Sequence, residues 1–368
     1  MIRVLNFYIL RRHIAGLLMA LSAALILVLV SDLVDLSGRI ADGVQSAPPV
    51  LVMAMLHAPS ILSETLPFIV LLGSLAAFLR LARTSELVVI RAAGLSVWRI
   101  LQMPVLGALV LGCLAFAVWN PIAATTLSRY EVLKSRHFDG QESQLSISAE
   151  GLWLRQADAD GQTVINASRA SPFGDELIGV LIFEFDTDGV LDRRMSARRA
   201  VLTPGAWQVE QARIWQMDSA GTFAMVHGVD RETVIVPTDL TSSRILESFA
   251  DPQELSFWNL QEFIGTLESS GFSSTRHRLY MQTELAQPLM FVAMVLIAAG
   301  FSMRHVRFGS VGVRILLCVI AGFGIFFLSD FTQALGSAGT IPVIVAAWVP
   351  PIAALLLATS LLLHLEDG

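Results

Sequence analysis

Long apolar runs alternate with shorter polar segments over most of this chain. Each run is about 20 residues long, the length that an α-helix needs to cross the hydrocarbon core of a bilayer. The first run exceeds the apolar core of a secretory signal, about 7–15 residues, and is interpreted as a retained helix. The Asn120-Pro121 pair predicts the end of the third helix. The pattern predicts six transmembrane helices, within residues 14–30, 50–79, 101–119, 280–303, 315–335 and 341–363.

The middle of the chain has a different pattern. It holds most of the acidic residues, and apolar and polar positions alternate there in short segments. Turn-forming pairs such as Asp160-Gly161 and Pro204-Gly205 separate these segments, which is typical of β-strands. The predicted strands lie within residues 145–154, 163–168, 177–186, 198–203, 206–216 and 233–238, and a helix at 251–270 follows them.

These segments predict an all-β domain, either a sandwich or an open jelly roll, between the third and fourth membrane helices. The predicted domains are residues 1–125, with three membrane helices, residues 126–278, with the β domain, and residues 279–368, with three more membrane helices. The expected fold class is therefore a membrane α-helical bundle with an inserted, jelly-roll-like all-β domain.

Arginine positions predict the orientation of the helices. Cytoplasmic loops of membrane proteins carry an excess of lysine and arginine. Here arginine is frequent in the N-terminal segment and after the second and fourth helices, whereas the opposite short loops contain only Arg39. Both termini are therefore predicted to be cytoplasmic, with the β domain on the far side. In a bacterial inner membrane, that side is the periplasm.

The connection between the second and third helices, residues 80–99, carries a cationic and partly amphipathic pattern. Glu86 is its only acidic residue, among the arginines 80, 83, 91 and 99. Its apolar residues recur at roughly helical spacing, which predicts a short helix at the membrane surface. This helix is either a docking surface for a soluble partner or an ordinary positively charged loop.

Composition and motifs exclude several classes of function. Apolar residues make up 54% of the chain and charged residues 15%, against about 25% charged in soluble proteins. A phosphate-binding loop of the G-x-x-x-x-G-K-[ST] type is absent, and Lys134 is the only lysine. Zinc-protease and serine-hydrolase motifs are also absent, and Cys113 and Cys318 lie in apolar runs. We therefore predict no catalytic site, metal or cofactor, and no nucleic-acid partner.

Acidic residues within or beside the apolar runs indicate either interface positions or a polar cavity, because charge is costly inside a bilayer. The interface interpretation is favoured for Asp32, Asp35, Glu284 and Asp330. Glu64 lies deeper, where it would form a hydrogen bond in the bundle or line a cavity. The aromatic run at residues 323–331 either packs against lipid or lines a lateral opening for acyl chains.

Six segments of the sequence carry a resemblance to a known family. They are RVLNFYILRR, LPFIVLLGSLAAFLRLARTSELVVIRAAGLS, SPFGDELIGVLIFEFDTDG, HRLYMQTELAQPLMFVAMVLIAAGFSMR, GVRILLCVIAGFGIFFLSD and AAWVP. The chain resembles the LptF/LptG permeases of lipopolysaccharide export over essentially its whole length, and looks closer to the LptG-like members. The segment around residues 85–94 is the most specific part of this resemblance.

The resemblance implies a non-enzymatic subunit of an ABC-type exporter that pairs with an LptF-like permease. An LptB-like ATPase dimer would hold the connection at residues 80–99, and LptC and LptA would extend the β domain into a periplasmic bridge. Lipopolysaccharide would enter between the first helix of one permease and the fifth helix of the other. The implied coupling residues are Arg83, Glu86, Leu87, Arg91 and Gly94; the implied lipid-gate residues are Asp32, Asp35, Arg39, Phe326, Phe327 and Asp330.

One region departs from the family pattern. Enterobacterial LptG-like chains carry several lysines at the outer end of the first helix, where this chain reads SDLVDLSGRIADG with Arg39 as the only base. Either the partner supplies positive charge or the lipid carries fewer phosphates; Arg39 itself contacts either phosphate or water. An alternative function is a mechanotransmission-type permease that acts on a periplasmic partner without moving lipid. A lipid-modifying enzyme would need an acid or histidine cluster that the sequence lacks.

Overall fold

A computed structural model describes residues 2–41, 50–84, 86–92, 94–134, 137, 144–148, 151–158, 161–171, 175–186, 190–217, 223–228, 233–238, 251–269, 272–303 and 311–366. The chain divides into two compact units. The first consists of Met1–Tyr130, Ser256–Trp258 and Thr275–Gly368, and the second of Glu131–Leu255 and Asn259–Ser274. The sequence-based boundaries at residues 126 and 278 remain predictions.

Within the described ranges, six helical segments are long and apolar enough to cross a membrane, which confirms the predicted number. The third segment consists of two α-helices joined by a π-helical turn. The helices are α1 (Ile2–Ala41), α2 (Val50–Arg83), α3 (Glu86–Ala92), α4 (Val97–Leu114), the π turn (Ala115–Trp119), α5 (Asn120–Lys134), α6 (Phe257–Ser269), α7 (Thr275–Ser302), α8 (Val311–Ser337) and α9 (Val343–Glu366).

Helix α7 forms the centre of the helical unit. It packs against α2, α4, α8 and α9, and 72% of its most apolar 18-residue window is buried. Small residues let the helix backbones approach closely, as membrane helices commonly require. A Cβ atom added to Gly112 of α4 would lie 2.3 Å from Cα of Pro288 in α7, so only glycine fits at this crossing.

The predicted end of the third span at Asn120-Pro121 is wrong, because the helix continues from the π turn into α5. Proline at position 121 has no N–H for the carbonyl of Ala117, four residues earlier. The indole Nε1 of Trp258 donates to that carbonyl instead, at 3.1 Å. The Asn120 N–H donates to the Ala115 carbonyl, which closes the wider π turn. These substitute contacts let the helix pass through a proline.

Among its described residues, the inserted unit forms a nine-stranded antiparallel sheet, so the predicted fold class, a membrane bundle with an all-β insertion, is confirmed. Neighbouring strands follow the order β1-β2-β3-β4-β5-β6-β9, and β7 pairs with β5 and β8. The strands are β1 (Gln144–Ser148), β2 (Gly151–Asp158), β3 (Gly161–Ala170), β4 (Glu176–Phe185), β5 (Leu191–Thr203), β6 (Ala206–Glu210), β7 (Arg213–Met217), β8 (Phe223–Gly228) and β9 (Val234–Pro237).

Three strand predictions differ from the structure. Residues 145–154 were predicted as one strand, but they belong to the paired strands β1 and β2. Residues 206–216 divide into β6 and β7, because Gln211 between them has a φ of 54°, in the left-handed region that interrupts a strand. Strand β8 was not predicted. Alternation of apolar and polar positions therefore predicted the sheet, but it joined neighbouring strands into one.

The core of this unit lies on one face of the sheet. Buried side chains of β2, β3 and β4 mostly recur at every second position, with steps of three residues from Ala167 to Ala170 and from Leu177 to Val180. Trp207 and Val209 of β6 are fully buried in the same cluster, together with Leu267 of α6 and Phe272 just after it. This apolar layer holds the strands as one sheet over one hydrophobic core.

Candidate functional site

Helix α3 is short, and its apolar side is fixed to the membrane helices. Leu87 and Ile90 are buried in the same core cluster as Leu81 of α2 and Val97 of α4. Gly94 has a φ of +83° and its N–H bonds to the carbonyl of Arg91, at 2.9 Å, which ends the helix. The predicted short helix over residues 80–99 therefore exists as α3 with tight connections on both sides. Ser85 and Ala93 lie outside the described residues.

The connection and the helix ends beside it also carry an exposed, cationic set of residues. Val89 and Trp98 are exposed there at 68% and 38% of their surfaces. Four exposed arginines accompany them, namely Arg80, Arg83, Arg91 and Arg99. Positive charge together with two apolar side chains can form ion pairs and fill an apolar pocket on a partner. We call this set of six residues the arginine face.

Glu86 does not point away from the chain with the arginines. Its side chain is half-buried, and Oε2 accepts a hydrogen bond from the hydroxyl of Tyr8 in α1, at 2.9 Å. Nε of Arg12 donates to the same hydroxyl at 3.0 Å, and its guanidinium lies 5.2 Å from the centre of the Tyr8 ring. Oγ1 of Thr84 lies 2.9 Å from Oε1 of Glu86. The sequence analysis missed Tyr8, Arg12 and Thr84 as neighbours of Glu86.

A second polar contact lies at the other end of α1. Nδ1 of His57 in α2 is 2.9 Å from Oδ2 of Asp32, and the His57 ring stacks on Tyr130 with ring centres 4.3 Å apart. The predicted gate residue Asp32 therefore contacts α2, through a histidine that the sequence analysis did not select. Asp35 is exposed. Arg39 belongs to α1, but its side chain lies outside the described part of the chain.

The other predicted gate residues form an exposed side of α8. Phe326 and Phe327 are exposed at 44% and 71% of their surfaces, and Asp330 is also exposed. Phe68 of α2 contacts the edge of this aromatic group, with its ring centre 5.4 Å from that of Phe326. Helix α1 packs mostly against α2, and α8 mostly against α9 and α7. The structure therefore places the two halves of the predicted gate on different sides of α2.

Glu284 differs from its sequence-based interpretation as an interface residue. It is 5% exposed, inside the helical unit, and Nε2 of Gln287 donates to its Oε1 at 2.9 Å. Nearby, Nδ2 of Asn120 donates to the Tyr280 hydroxyl at 2.8 Å. Side-chain partners thus offset the cost of burying a carboxyl group. Glu64, by contrast, has an exposed side chain on this chain.

No group of three histidine, cysteine, aspartate or glutamate side chains that could hold a metal occurs among the residues that the structure describes. The functional candidates are therefore surfaces, namely the arginine face and the exposed sides of α1 and α8.

Six membrane-crossing helices with an inserted antiparallel sheet define a multi-pass membrane protein with a sizeable domain outside the helices. A family model described as "Lipopolysaccharide export system permease LptF/LptG" matches residues 7–364, and the chain belongs to this family. The chain is 25% identical to Lipopolysaccharide export system permease protein LptG of Escherichia coli (strain K12), over 98% of both chains.

A second relative, the permease protein of the same name from Haemophilus influenzae, is 23% identical over 95% of both chains. The resemblance to LptG-like permeases is thereby confirmed. Family and helices together point to an inner membrane protein of a lipopolysaccharide export system.

Proposed function

We propose that this chain is a permease subunit of an ABC-type complex that extracts lipopolysaccharide from the inner membrane and passes it to a periplasmic bridge. Family membership supports lipopolysaccharide as the transported lipid. The exposed arginine face is the main observation that supports coupling to an ATPase. That face is exposed while the other side of α3 is buried in the helical core. Force applied to it would therefore reach the membrane helices directly.

The partner at the arginine face is an LptB-like ATPase dimer on the cytoplasmic side. Arg83 and Arg91 would meet acidic groups of the ATPase, and Val89 would enter an apolar pocket. Leu87 and Gly94 support this surface from within, since one is buried and the other ends α3. Glu86 fixes the orientation of α3. The chain supplies no ATPase site of its own in this scheme.

Burial of the helices supports a lateral opening that involves α1 and α8. Only 17% of the most apolar window of α1 and 22% of that of α8 are buried, so both need a cover of lipid or protein. An LptF-like permease would cover part of each helix and close a shared cavity. Phe326 and Phe327 of α8 would then meet acyl chains, with Asp330 near the same opening.

The head-group region is acidic on this chain. Asp32 and Asp35 lie at the end of α1, and Asp32 is already engaged by His57. Arg39 is the candidate phosphate contact on this chain, so the partner permease supplies further positive charge or the lipid carries fewer phosphates. Replacing Arg39 with alanine should reduce crosslinking of the lipid to this chain; unchanged crosslinking would remove Arg39 from the site.

The sheet supports assembly with LptC and LptA. Strand β1 pairs only with β2 among the described strands, so it is an edge strand of the described sheet. An added strand from a partner can extend such an edge. We therefore assign the periplasmic bridge to this domain, continuing the sheet from chain to chain.

Orientation provides the first test. In a variant without Cys113 and Cys318, a single cysteine at the Ala92 position should resist a membrane-impermeant thiol reagent in intact cells. A matched cysteine at the exposed Ser168 position of the β domain should react. Reaction at the Ala92 position would place α3 in the periplasm and overturn the proposal.

Purification of the tagged full chain tests the assembly. We expect a nucleotide-binding subunit in stoichiometric amount, together with bound lipopolysaccharide. An ATPase without lipid, and without ATP-driven release of lipid, would favour the mechanotransmission alternative. Absence of any ATPase would contradict both functions.

A further inference from the structure

The link between Glu86 and Tyr8 joins parts of the chain that are 78 residues apart in sequence. Helix α3 follows α2 and precedes α4 in the chain, so its connections to those helices are covalent. Among the described residues, the side-chain hydrogen bond between α3 and α1 joins Glu86 to Tyr8. The contact therefore links α3 to a third membrane helix, α1.

The geometry makes Tyr8 a directed donor. A phenol has a single proton, and its oxygen accepts from Nε of Arg12 at 3.0 Å, so the proton is left for Glu86 at 2.9 Å. Thr84 is a weaker second donor, because its hydroxyl also lies 3.0 Å from the carbonyl of Arg80 and 3.3 Å from that of Leu81, so one proton is shared among three acceptors. Among the described groups, Tyr8 is the donor that gives its proton to the Glu86 carboxylate without sharing it.

Helix α1 otherwise packs mostly along α2, and to a smaller extent against α4. Gly16 approaches α2 so closely that an added Cβ would lie 2.5 Å from the carbonyl oxygen of Gly73. Asp32 contacts His57 further along the helix. Both of these contacts are to α2, whereas Tyr8 contacts α3 at the beginning of α1. Motion of α3 can therefore reach α1 through Tyr8 without first moving α2.

We propose that Tyr8 is a positioning residue, which ties α3 to α1 through Glu86 so that displacement of α3 by the ATPase moves the first membrane helix. This proposal rests on the proposed function, since it assumes that the ATPase docks at the arginine face. It assigns to Tyr8 the transmission of force rather than contact with ATPase or lipid. Arg12 orients the Tyr8 hydroxyl in this arrangement.

The main test is Tyr8→Phe in the complete complex with the partner permease and the ATPase. The ring and its packing remain, and only the hydroxyl is lost. We expect ATPase copurification and ATP hydrolysis to persist, while lipopolysaccharide released per ATP falls about tenfold, the lower end of the effect of one lost hydrogen bond to a charged group. Phe7→Leu, at an exposed neighbouring position of α1, is the control and should release lipid as the unmodified complex does.

Glu86→Gln sharpens the test. If both residues act through one bond, Tyr8→Phe combined with Glu86→Gln should be no worse than the more damaging single variant. Additive losses would mean that Tyr8 and Glu86 act separately and would overturn the proposal. Normal lipid release per ATP in Tyr8→Phe would overturn it as well, with the proposed function intact. Loss of ATPase copurification in Tyr8→Phe would give Tyr8 a docking role instead.

A distance measurement tests the link without any transport. Spin labels at the exposed Phe7 and Ala92 positions should give a narrow distance distribution in the purified chain, and the same distance with and without nucleotide in the complex. Tyr8→Phe should broaden the distribution in the chain alone. An unchanged distance distribution in Tyr8→Phe would overturn the proposed link between α3 and α1. Because this measurement needs no ATPase, its failure is distinct from a failure of the proposed function.

Discussion

Helices α1 and α7 are both long and apolar enough to cross a membrane, but their surroundings are opposite. In α7, 72% of the most apolar window is buried, against 17% in α1. Helix α7 contacts four other membrane helices, whereas α1 packs mostly against α2. Helix α7 is therefore enclosed by other helices of this chain, whereas α1 leaves most of its surface uncovered. That surface of α1 is available to lipid or to a partner.

The largest effect is expected at the centre. Gly112→Ala places a Cβ atom 2.3 Å from Cα of Pro288, so the backbones of α4 and α7 must separate. We expect a loss of about 3 kcal/mol in stability and a melting temperature at least about 5 °C lower in detergent. Gly324→Ala in α8, where an added Cβ meets no atom within 4 Å, is the matched control. Equal melting temperatures would contradict close packing at α7.

A smaller effect is expected for the same change in α1. Gly16→Ala places a Cβ atom 2.5 Å from the carbonyl oxygen of Gly73 and 3.0 Å from Cβ of Ala77. Because α1 is little covered, it can shift outward, and we expect a loss of about 1–2 kcal/mol by the same thermal measurement. Gly38→Ala on the same helix has no atom within 4 Å of the added Cβ and should melt as the unmodified chain does. A loss as large as that of Gly112→Ala would erase the contrast between the helices.

The contact between His57 and Asp32 of α1 should contribute less to stability than the close packing at Gly16. His57→Ala removes the Asp32 partner and the ring that stacks on Tyr130, and we expect about 1 kcal/mol of lost stability. Adding Asp32→Asn to His57→Ala should cause little further loss if the two residues act as a pair. His364→Ala, at an exposed histidine near the end of α9, serves as the control. Additive losses would show that His57 and Asp32 act independently.

The smallest expected effect on stability is at Glu254, which lies outside α1 and α7. Burial raises the pKa of Glu254 above its usual value of 4.5, and the negative charges of Glu131 and Asp251 raise the pKa further. The unfolded chain then loses this proton at lower pH than the folded chain, so folding loses stability as pH rises through 4.5 toward the folded pKa.

Glu254→Gln removes this charge and should raise the melting temperature by about 1 °C at neutral pH. The difference should vanish below the unfolded pKa, where both side chains are neutral. Glu262→Gln, at an exposed position of α6, is the control. A gain in Glu254→Gln that persists at acidic pH would exclude a charge effect.

Local sequence patterns were enough to predict the number of membrane helices, the inserted all-β domain and the family. Apolar length, strand alternation and arginine placement are local patterns, and the physical rules that produce them act over a few residues. The exposed arginines beside α3 also follow from such a pattern, because a helix with one apolar side exposes the other.

The pairing of polar side chains could not be predicted from the sequence. Tyr8 and Glu86 are 78 residues apart, His57 and Asp32 are 25 apart, and no local period encodes either contact. The helix passes through Pro121 because Trp258, 137 positions later, donates to the free carbonyl of Ala117. Glu284 is buried because Gln287 and its neighbours satisfy it inside a packed bundle. Such contacts depend on how helices cross, and crossing is fixed by packing across the whole chain.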